Sequence, residues 1–500
     1  MGFLLRGRQG STLTIPTLLP PEGHQSNSDF STPYQGLGAR GLRNISSRLL
    51  LSLFPPNAPF FRFVVDDYAL EQVAGSADAK TEIDENLVKM EQAVMAELET
   101  KHVRIPAFEA LKHLVCTGNA LMFLSEEGTV PKVFPLSHYV VERDGEGSVL
   151  QIITKEEVSP SMLPPAQRAA LNVAIQRDNT DPSNTNSVEV FTHIRREVGG
   201  DFYTSYQEIV GQVVKGSRGR YPADSLPWLP LRFHRVSGES YGRGLVEEYL
   251  GDLRSLEALT QAAVEAAAAS SKVLFLVDPG SPTKLSDLAS APNGAFRTGR
   301  AEDVTTVQTD KLADLRITNA VMERIEERLS FAFLLNSAIQ RSGERVTAEE
   351  IRFMAQELEN ALGGAYSVLA LEMQLPLIKV LTARMRKAGR LPEVDKDIVR
   401  PSIITGLEAL GRGNDFTRLT SFLQAAASSV GPEAVTQFVD GREVLSQLAN
   451  SSGLDASTLM KSQEQIAQEQ AAAQQQALVG QFGNQAVDKM VANAEAANQQ

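Results

Sequence analysis

The sequence predicts an α+β protein, mostly helical, in which two long helices are separated by a short β-rich segment. Apolar residues recur at spacings of three and four along residues 244–271 and again along 313–336, which is the period of an amphipathic helix. Between them, residues 272–312 have no helical period but contain the apolar run 273–277 and several Pro and Gly breaks. These observations indicate two rods that hold a small module away from a larger body.

The two rods are the longest predicted elements. The first has 28 residues without a proline, which gives an α-helix of about 42 Å. One apolar stripe of each rod is expected to face inward: Leu245, Tyr249, Leu253, Leu256 and Leu259 in the first, and Ile317, Val321, Ile325 and Leu329 in the second. A short loop, 338–346, follows the second rod, and a capping box at 347–350 opens the next helix.

The body is expected to contain residues 14–240. Residues 1–13 have no periodicity and 14–40 are rich in Pro, Gly and Ser, so no helix is predicted before residue 42. The pattern predicts helices at 42–54, 81–100 and 107–117, and strands at 120–124, 138–143, 149–154, 188–194, 202–209 and 231–236. Pro227 and Pro230 favour an edge position for the last strand.

Beyond the rods, the chain is predicted to return to the body and then leave it. The pattern predicts helices at 348–362 and 365–387, bends at Gly363-Gly364 and Pro376, a returning strand at 398–405, and mainly helical segments at 416–448 and 456–470. Residues 471–500 are rich in Gln and Ala and are expected to be disordered.

Charge and cysteine content limit the function classes. The formal net charge is −13, whereas a protein that wraps DNA or reads its grooves normally carries an excess of Lys and Arg. The acidic balance fits either a protein that does not contact nucleic acid or a channel through which DNA slides without adhering. The single cysteine, Cys116, excludes an intrachain disulfide, and no run of 18 apolar residues predicts a membrane span.

Several motifs suggest chemistry, and each lacks a required partner. Residues 238–242 match G-x-S-x-G between a predicted strand and a helix, but all six histidines precede Ser240, and a hydrolase of this type needs one after it. Residues 36–41 match G-x-G-x-x-G without a preceding strand, and no Gly-Lys pair forms a P-loop. His113 and Cys116 have no second pair at zinc spacing. Neither a cofactor nor a metal is predicted, and a serine hydrolase that uses Ser240 is kept as an alternative.

Two arginines in the loop 338–346 are the candidate DNA contacts. Arg341 and Arg345 flank Gly343 between two helices, with Glu344 beside them, so the loop can project into a lumen. Such a loop would contact DNA phosphates locally and independently of base sequence. The alternative is a helical hairpin in which the arginines pair with nearby glutamates.

Two further groups of residues are candidate functional positions. Gly242 and Gly244 are expected to allow close packing at the hinge between the first rod and the body. The polar candidates for a docking surface on the module between the rods are Lys284, Asp287, Arg297 and Arg300.

Five blocks of the chain resemble the portal, or head-to-tail connector, proteins of T7-like short-tailed bacteriophages. They are GESYGRG at 238–244, EEYLGDLRSLE at 247–257, RLSFAF at 328–333, GERVTAEEIR at 343–352 and GLEALGRG at 406–413. The similarity also includes segments 34–41 and 108–112, and it extends from residue 14 to about residue 415.

The resemblance implies a non-enzymatic subunit of a dodecameric ring that surrounds a DNA channel. It divides the chain into a wing (14–240 and 347–412), stem helices (241–271 and 313–337), a clip (272–312), a channel loop (338–346), a helical crown (413–470) and a tail (471–500).

The resemblance also implies partners and a location. The partners are copies of the chain itself, double-stranded DNA passing through the channel, the packaging motor (terminase), the tail adaptor, the major capsid and scaffolding proteins and the internal core proteins, with no membrane. The ring would assemble in the host bacterial cytoplasm and reside at the portal vertex of the virion. A non-viral scaffold or adaptor without a DNA channel is a further alternative.

Overall fold

A computed structural model describes most of the chain before residue 404 and a short part after it. The described residues are 2–24, 27–56, 59–65, 77–126, 130–178, 187–270, 274–280, 284–296, 298, 300–307, 312–335, 362, 364–392, 399–403, 420–429, 431, 441 and 444. The chain forms two compact units, Met1–Gly406 and Leu407–Gln500. Residues 420–429 of the second unit are helical, and everything below concerns the first. The predicted wing, clip and crown boundaries stay predictions.

Three of the N-terminal helices were predicted, and each begins three to five residues earlier than expected. The residues Leu42, Ile45, Leu49 and Leu53 of one helix are fully buried, so the apolar spacing identified its inner face correctly. The N-terminal helices are α1 (Gly2–Leu13), α2 (Leu37–Leu53), α3 (Ala77–Thr100) and α4 (Arg104–Thr117).

The helix α1 corrects the prediction that residues 1–13 contain no helix. Its buried positions are Gly7, Gly10 and Ser11, which have almost no side chain to produce an apolar period. A Cβ atom on Gly10 would lie 3.2 Å from Cγ1 of Val246 and 3.3 Å from the carbonyl oxygen of Cys116. The helix is therefore held by close backbone approach, which a search for large apolar residues does not detect.

The largest sheet is antiparallel and has six strands. Five follow the order β4 (Tyr139–Arg143), β5 (Val149–Val158), β6 (Val188–Arg196), β7 (Phe202–Ile209) and β8 (Gln212–Val213), and β9 (Gly219–Pro222) also pairs with β7. A helix that was not predicted, α5 (Pro165–Asp178), packs apolar residues against one end of the sheet. The long strands β4 to β7 were predicted, whereas the short β8 and β9 were not.

A smaller sheet has the order β10 (Trp228–Arg232), β2 (Asn119–Phe123) and β3 (Lys132–Phe134), again antiparallel. The edge position predicted from the prolines is confirmed. The strand itself is Trp228–Arg232 and not the predicted 231–236, so Pro230 lies inside it. On the open side of β10, the backbone N–H of Arg232 donates to Oε2 of Glu372 at 3.0 Å. A carboxylate therefore accepts the hydrogen bond of this edge, where no further strand of the described residues pairs.

The predicted returning strand is present as β13 (Val399–Ile403), which pairs antiparallel with β1 (Phe61–Val65). The buried carboxylate of Glu91 on α3 accepts a hydrogen bond from the backbone N–H of Phe63 at 2.9 Å. Burial raises the pKa of Glu91 to about 7, and the Phe63 hydrogen bond and the charge of Arg62 oppose that shift only in part.

The helix predicted at 365–387 is present, with an irregularity before Pro376. It consists of α10 (Ala365–Leu369), a π-helical turn (Ala370–Gln374) and α11 (Leu375–Lys387). Pro376 has no N–H to bond back to residue 372, which favours a changed hydrogen-bond pattern there. By length and composition this helix could cross a membrane, but about half of its most apolar stretch is buried in the protein. The helix also carries Glu372, which pairs with the buried Arg232, and it is therefore a core helix.

Both predicted rods are present. The first is interrupted at Tyr249 and consists of α6 (Leu245–Glu248) and α7 (Leu250–Ser270); the second is α9 (Leu312–Ala332). Between them, β11 (Leu274–Val277) and β12 (Val304–Val307) form a two-stranded antiparallel sheet, with a short helix that was not predicted, α8 (Leu285–Ala289). The helices predicted at 348–362 and 456–470 lie outside the described residues, apart from residue 362.

The raised pKa of Glu91 predicts a specific pH dependence of stability. A carboxyl group with a raised folded-state pKa contributes stability below its ordinary pKa of 4.5 and loses it as the pH rises through about 7. The variant Glu91→Gln keeps the acceptor for the Phe63 N–H but cannot ionise. Between pH 5 and pH 8 we expect its free energy of unfolding, measured in urea, to fall by roughly 2–3 kcal/mol less than that of the wild type.

The control for this experiment is Glu97→Gln on the same helix. The Glu97 carboxylate binds Arg390, and that hydrogen bond lowers its pKa, so Glu97 does not titrate between pH 5 and pH 8. The control variant should keep the wild-type pH dependence over this range. If Glu91→Gln also keeps it, the buried-carboxyl explanation is wrong.

Candidate functional site

The first rod leaves the body through two glycines that lie against the end of α4. A Cβ atom on Gly244 would lie 2.8 Å from the carbonyl oxygen of Cys116, and one on Gly242 would lie 2.8 Å from the carbonyl oxygen of Gly118. The Asn119 side chain donates to the Gly242 carbonyl at 2.9 Å and accepts from the Gly242 N–H at 2.7 Å. The rod is therefore held by close approach of backbone to backbone and by the Asn119 side chain, and the hinge role of the two glycines stays a prediction.

Charged side chains surround this junction. Arg243 binds Glu239 and Glu247, and these two hydrogen bonds raise the pKa of Arg243 further above its usual range. Arg6 of α1 binds the same Glu247 at 2.9 Å, and the guanidinium groups of Arg6 and Arg243 lie 4.8 Å and 5.4 Å from the centre of the Phe3 ring. The unpredicted helix α1 is thus tied to the root of the first rod.

The two rods pack against each other near the body. Leu253 and Leu256 of α7 and Leu329 of α9 are fully buried. Nη2 of Arg328 lies 2.7 Å from Oδ1 of Asp252, and this pair fixes an antiparallel register between the rods.

Farther from the body, the inward stripe predicted for the second rod is wrong in part. Ile325 is 6% exposed, but Ile317 and Val321 are 67% and 41% exposed. Both residues follow the same spacing as Ile325, but they lie along a part of the rods where the first rod also buries nothing: none of its residues 257–269 is buried. The rods therefore bury their apolar stripes only near the body, and periodicity does not show how far along a helix such a contact extends.

The C-terminal end of the second rod is fixed by α2. Phe333 is fully buried against Gly41, where a Cβ atom would lie 2.5 Å from Cγ of Phe333. Nδ2 of Asn44, one turn along α2, donates to the carbonyl oxygens of Phe333 and Leu334 at 2.9 Å and 3.1 Å. The buried Leu334 has the left-handed φ of 51°, and the N–H of Leu335 donates to the carbonyl oxygen of Ser330, which ends the helix as a Schellman turn does.

This fixed end is where the chain enters the candidate DNA loop. Arg341, Gly343, Glu344 and Arg345 lie outside the described residues, so their contact with DNA stays a prediction. The described stretch that contains the second rod ends at Leu335, immediately after the turn that Asn44 holds. Sequence reasoning missed Asn44 because its carbonyl partners lie 289 and 290 residues away along the chain.

The candidate docking surface between the rods is described in part. Lys284 and Arg300 are exposed, the Asp287 backbone belongs to α8 while its side chain lies outside the described atoms, and Arg297 lies outside the described residues. Phe296 is 101% exposed, and sequence reasoning missed it, although an aromatic residue within a polar, Pro- and Gly-rich stretch was a visible signal.

The G-x-S-x-G segment has a structural role at the rod junction. Oγ of Ser240 accepts a hydrogen bond from the Arg143 N–H at 3.2 Å, and Oη of Tyr241 accepts one from the Val141 N–H at 3.2 Å. Both side chains therefore bind the backbone of β4. This pairing accounts for the serine without a catalytic histidine.

The glycine motif at 36–41 does not form a phosphate-binding loop. α2 begins at Leu37, so Gly38 and Gly41 lie inside a helix, which corrects the loop predicted to extend to residue 40. A Cβ atom on Gly38 would lie 2.5 Å from the carbonyl oxygen of Leu13. Both glycines serve close packing.

His113 and Cys116 are buried in α4. Burial lowers the pKa of His113 to about 4 and raises the pKa of Cys116 to about 12, so both side chains are neutral. Within the part of the chain that the structure describes, no three His, Cys, Asp or Glu side chains are grouped so that they could hold a metal ion.

Comparison with known proteins gives consistent matches. The family model described as "Bacteriophage head to tail connecting protein" matches residues 9–460. The portal protein of Escherichia phage T7 is 41% identical over 93% of this chain and 87% of its own length, and that of Enterobacteria phage T3 is 41% identical over 92% and 85%. The portal protein of Enterobacteria phage SP6 is 30% identical over 98% and 92%.

Among solved structures, a match with a chain from the neck of an empty GTA particle covers 83% of this chain and 90% of that chain. The identity is 9% and the TM-score 0.39, too low to carry an argument.

Because Gly41 contacts Phe333, we expect Gly41→Ala to destabilise the protein, the opposite of the usual effect of this substitution in a helix. Replacing a helical glycine by alanine normally stabilises a protein by about 0.5–1 kcal/mol. At Gly41 the added methyl group would overlap the Phe333 side chain close to its backbone, so we expect Gly41→Ala to cost about 1–3 kcal/mol.

Gly251→Ala is the matched control, because no atom lies within 4 Å of a Cβ built at Gly251 in α7. It should have the normal stabilising sign in the same thermal and urea unfolding measurements. Equal, stabilising effects of the two substitutions would show that the end of the second rod does not depend on this contact.

Proposed function

The chain belongs to the bacteriophage head to tail connecting family and functions as a phage portal at the junction of head and tail, and from this premise we propose that its copies form a ring around a channel for double-stranded DNA. The observation that carries the ring proposal is the rod pair, which is buried at its base and exposes large apolar side chains farther along. A pair of helices alone cannot cover those side chains, whereas neighbouring copies can.

The charges of the rods support DNA passage without adhesion. Along 250–270 there are three carboxylates and one arginine, and along 312–332 four carboxylates and three arginines, so each rod is net acidic. Phosphates are repelled from such a surface, and a channel lined by it lets DNA slide. In the proposed ring Arg341 and Arg345 form a basic collar at one level, which grips DNA independently of its sequence.

The proposed ring has twelve copies, the number that the resemblance to portal proteins implies. Its contacts are head-to-tail, so every subunit shows one surface to the left and a complementary one to the right. In the proposal the module between the rods docks the packaging motor first and the tail adaptor later, through Lys284, Asp287, Arg297 and Arg300. The body contacts capsid, scaffolding and internal core proteins at the portal vertex, after assembly in the host cytoplasm. The family is structural, and the proposal requires no bond chemistry.

The serine-hydrolase alternative has a direct test. In the proposed structural role, Ser240 is held by the Arg143 N–H and is not an activated nucleophile. An organophosphorus probe for serine nucleophiles should therefore leave the chain unlabelled. Labelling that Ser240→Ala abolishes would favour the hydrolase.

The loop proposal predicts a selective DNA phenotype. In phage particles that carry Arg345→Ala, we expect normal portal incorporation and a reduced amount of retained genome, because the collar loses one cation per subunit. The measurement is the DNA content of purified particles, with portal copy number determined in the same particles.

Arg195→Ala, an exposed arginine on β6 in the body, is the control and should leave the genome content unchanged. Full genome content in the Arg345→Ala particles would refute the role of the collar. Loss of portal incorporation would show that Arg345 serves assembly and not DNA retention.

A further inference from the structure

An exposed turn in the module between the rods contains an asparagine followed directly by a glycine. The turn comprises residues 292–295, and the N–H of Ala295 donates to the carbonyl oxygen of Pro292 at 3.1 Å. Gly294 has a φ of 82°, whereas Asn293 has a negative φ, and this combination defines a type II turn. Such a turn needs a left-handed residue at its third position, which accounts for the glycine.

The turn leaves both residues open to solvent and without hydrogen bonds. Asn293 and Gly294 are exposed, and no atom lies within 4 Å of a Cβ built on Gly294. In the part of the chain that the structure describes, neither the Asn293 amide nor the Gly294 N–H has a hydrogen-bond partner. The side-chain carbonyl carbon of Asn293 and the backbone nitrogen of Gly294 are therefore free to approach each other.

An asparagine in this setting reacts with the backbone that follows it. The Gly294 nitrogen loses its proton and attacks Cγ of Asn293, so that an N–Cγ bond forms, the Cγ–Nδ2 bond breaks and ammonia leaves. Water then opens the resulting succinimide ring at one of its two carbonyl groups and gives aspartate or isoaspartate. The net reaction consumes one water and releases one ammonia, without an oxidant, a reductant or a metal. Glycine favours the attack because it has no Cβ to hinder it.

The other asparagines that the structure describes lack at least one of these conditions. The amides of Asn44 and Asn119 donate to backbone carbonyl oxygens. Three asparagines lie inside helices, whose backbone hydrogen bonds restrict the rotation that ring closure needs. They are Asn86 in α3, Asn172 in α5 and Asn319 in α9. Asn27 is exposed, but a serine follows it. The pair at 293–294 is also the only Asn-Gly pair in the sequence.

We propose that Asn293 is a site of spontaneous modification, at which loss of ammonia replaces a neutral amide by a carboxylate. Either product adds one negative charge to each subunit, and isoaspartate also adds one atom to the backbone of the turn. The reaction needs only water, so it does not depend on a partner protein or on assembly.

The consequence for docking, unlike the modification itself, rests on the proposed function. Lys284 and Arg300 are exposed in the same module, and the fully exposed Phe296 lies two residues beyond Gly294. A new carboxylate beside them weakens the binding of an acidic partner surface and strengthens that of a basic one. In the proposed ring every subunit carries the same turn, so the change is repeated around the surface that docks the motor and the tail adaptor.

Peptide mapping by mass spectrometry tests the modification on the purified full-length chain. The chain is aged at pH 8 in water enriched in oxygen-18, and we expect the peptide that contains Asn293 to gain about 3 Da, because an amide nitrogen is replaced by an oxygen from the solvent. The gain should be severalfold slower at pH 6, since the Gly294 nitrogen must lose a proton before it attacks. The peptide that contains Asn27 is the internal control and should gain far less.

A synthetic peptide with the sequence of residues 291–296 sets the time scale. If this peptide is converted while Asn293 of the folded chain is not, the turn protects the asparagine and the proposal is wrong. Detection of isoaspartate by an isoaspartyl methyltransferase supports ring closure, whereas aspartate alone would overturn it.

Two variants of the turn identify the reacting atoms. Asn293→Gln should abolish the gain in mass, because a side chain longer by one carbon closes the ring far more slowly. Gly294→Ala should slow it severalfold, because the added Cβ hinders the attacking nitrogen. A gain that persists in Asn293→Gln would place the reaction at another residue and overturn the proposal.

A pair of phage variants tests the consequence for docking separately. Asn293→Asp carries the new charge from the start, and Asn293→Gln never acquires it. We expect the two to differ in the yield of packaged or tailed particles, at equal portal copy number. Equal yields would overturn the consequence for docking, while the modification and the proposed function would stand.

Discussion

The roots of both rods depend on close contacts that only glycine allows. Phe333 at the end of the second rod occupies the space where a side chain at Gly41 would lie, and Asn44 on the same helix binds the last carbonyl groups of that rod. At the other root, Gly244 lies against the carbonyl oxygen of Cys116 and Asn119 binds Gly242. Because both roots are held in this way, each rod has its own attachment to the body in addition to its contact with the other rod.

The sequence predicted the elements whose buried faces are made of large apolar residues. In α2 the spacing of Leu42, Ile45 and Leu49 identified a helix and its inner face, because burial of such residues produces the periodic pattern. The same reasoning missed α1, whose buried positions include Gly7 and Gly10, and it misjudged Ile317, whose spacing matches residues that are buried. Local pattern records that a residue is apolar, but the neighbour that covers it lies elsewhere in the chain or on another chain.

The candidate site shows the same division between local and distant information. The glycines of the first junction could be found from their motif, but Asn119 could not, because its partner Gly242 lies 123 residues away. The G-x-S-x-G match had a misleading local form, and only the hydrogen bond from Arg143 to Ser240 reveals its structural use. Long blocks of resemblance succeeded where single motifs did not, since several blocks in a fixed order carry more information than one short pattern. The family match over residues 9–460 agrees with them.

The central claim is that copies of this chain stand in a closed ring with their rods around an acidic bore. Mass measurement of the purified assembly, combined with negative-stain imaging of the same sample, tests it most directly. The account predicts hollow annular particles whose mass is a whole multiple of 54.3 kDa, with twelve copies in the proposed ring. A preparation that contains only monomers or dimers, with no annular particles at any concentration, would contradict it.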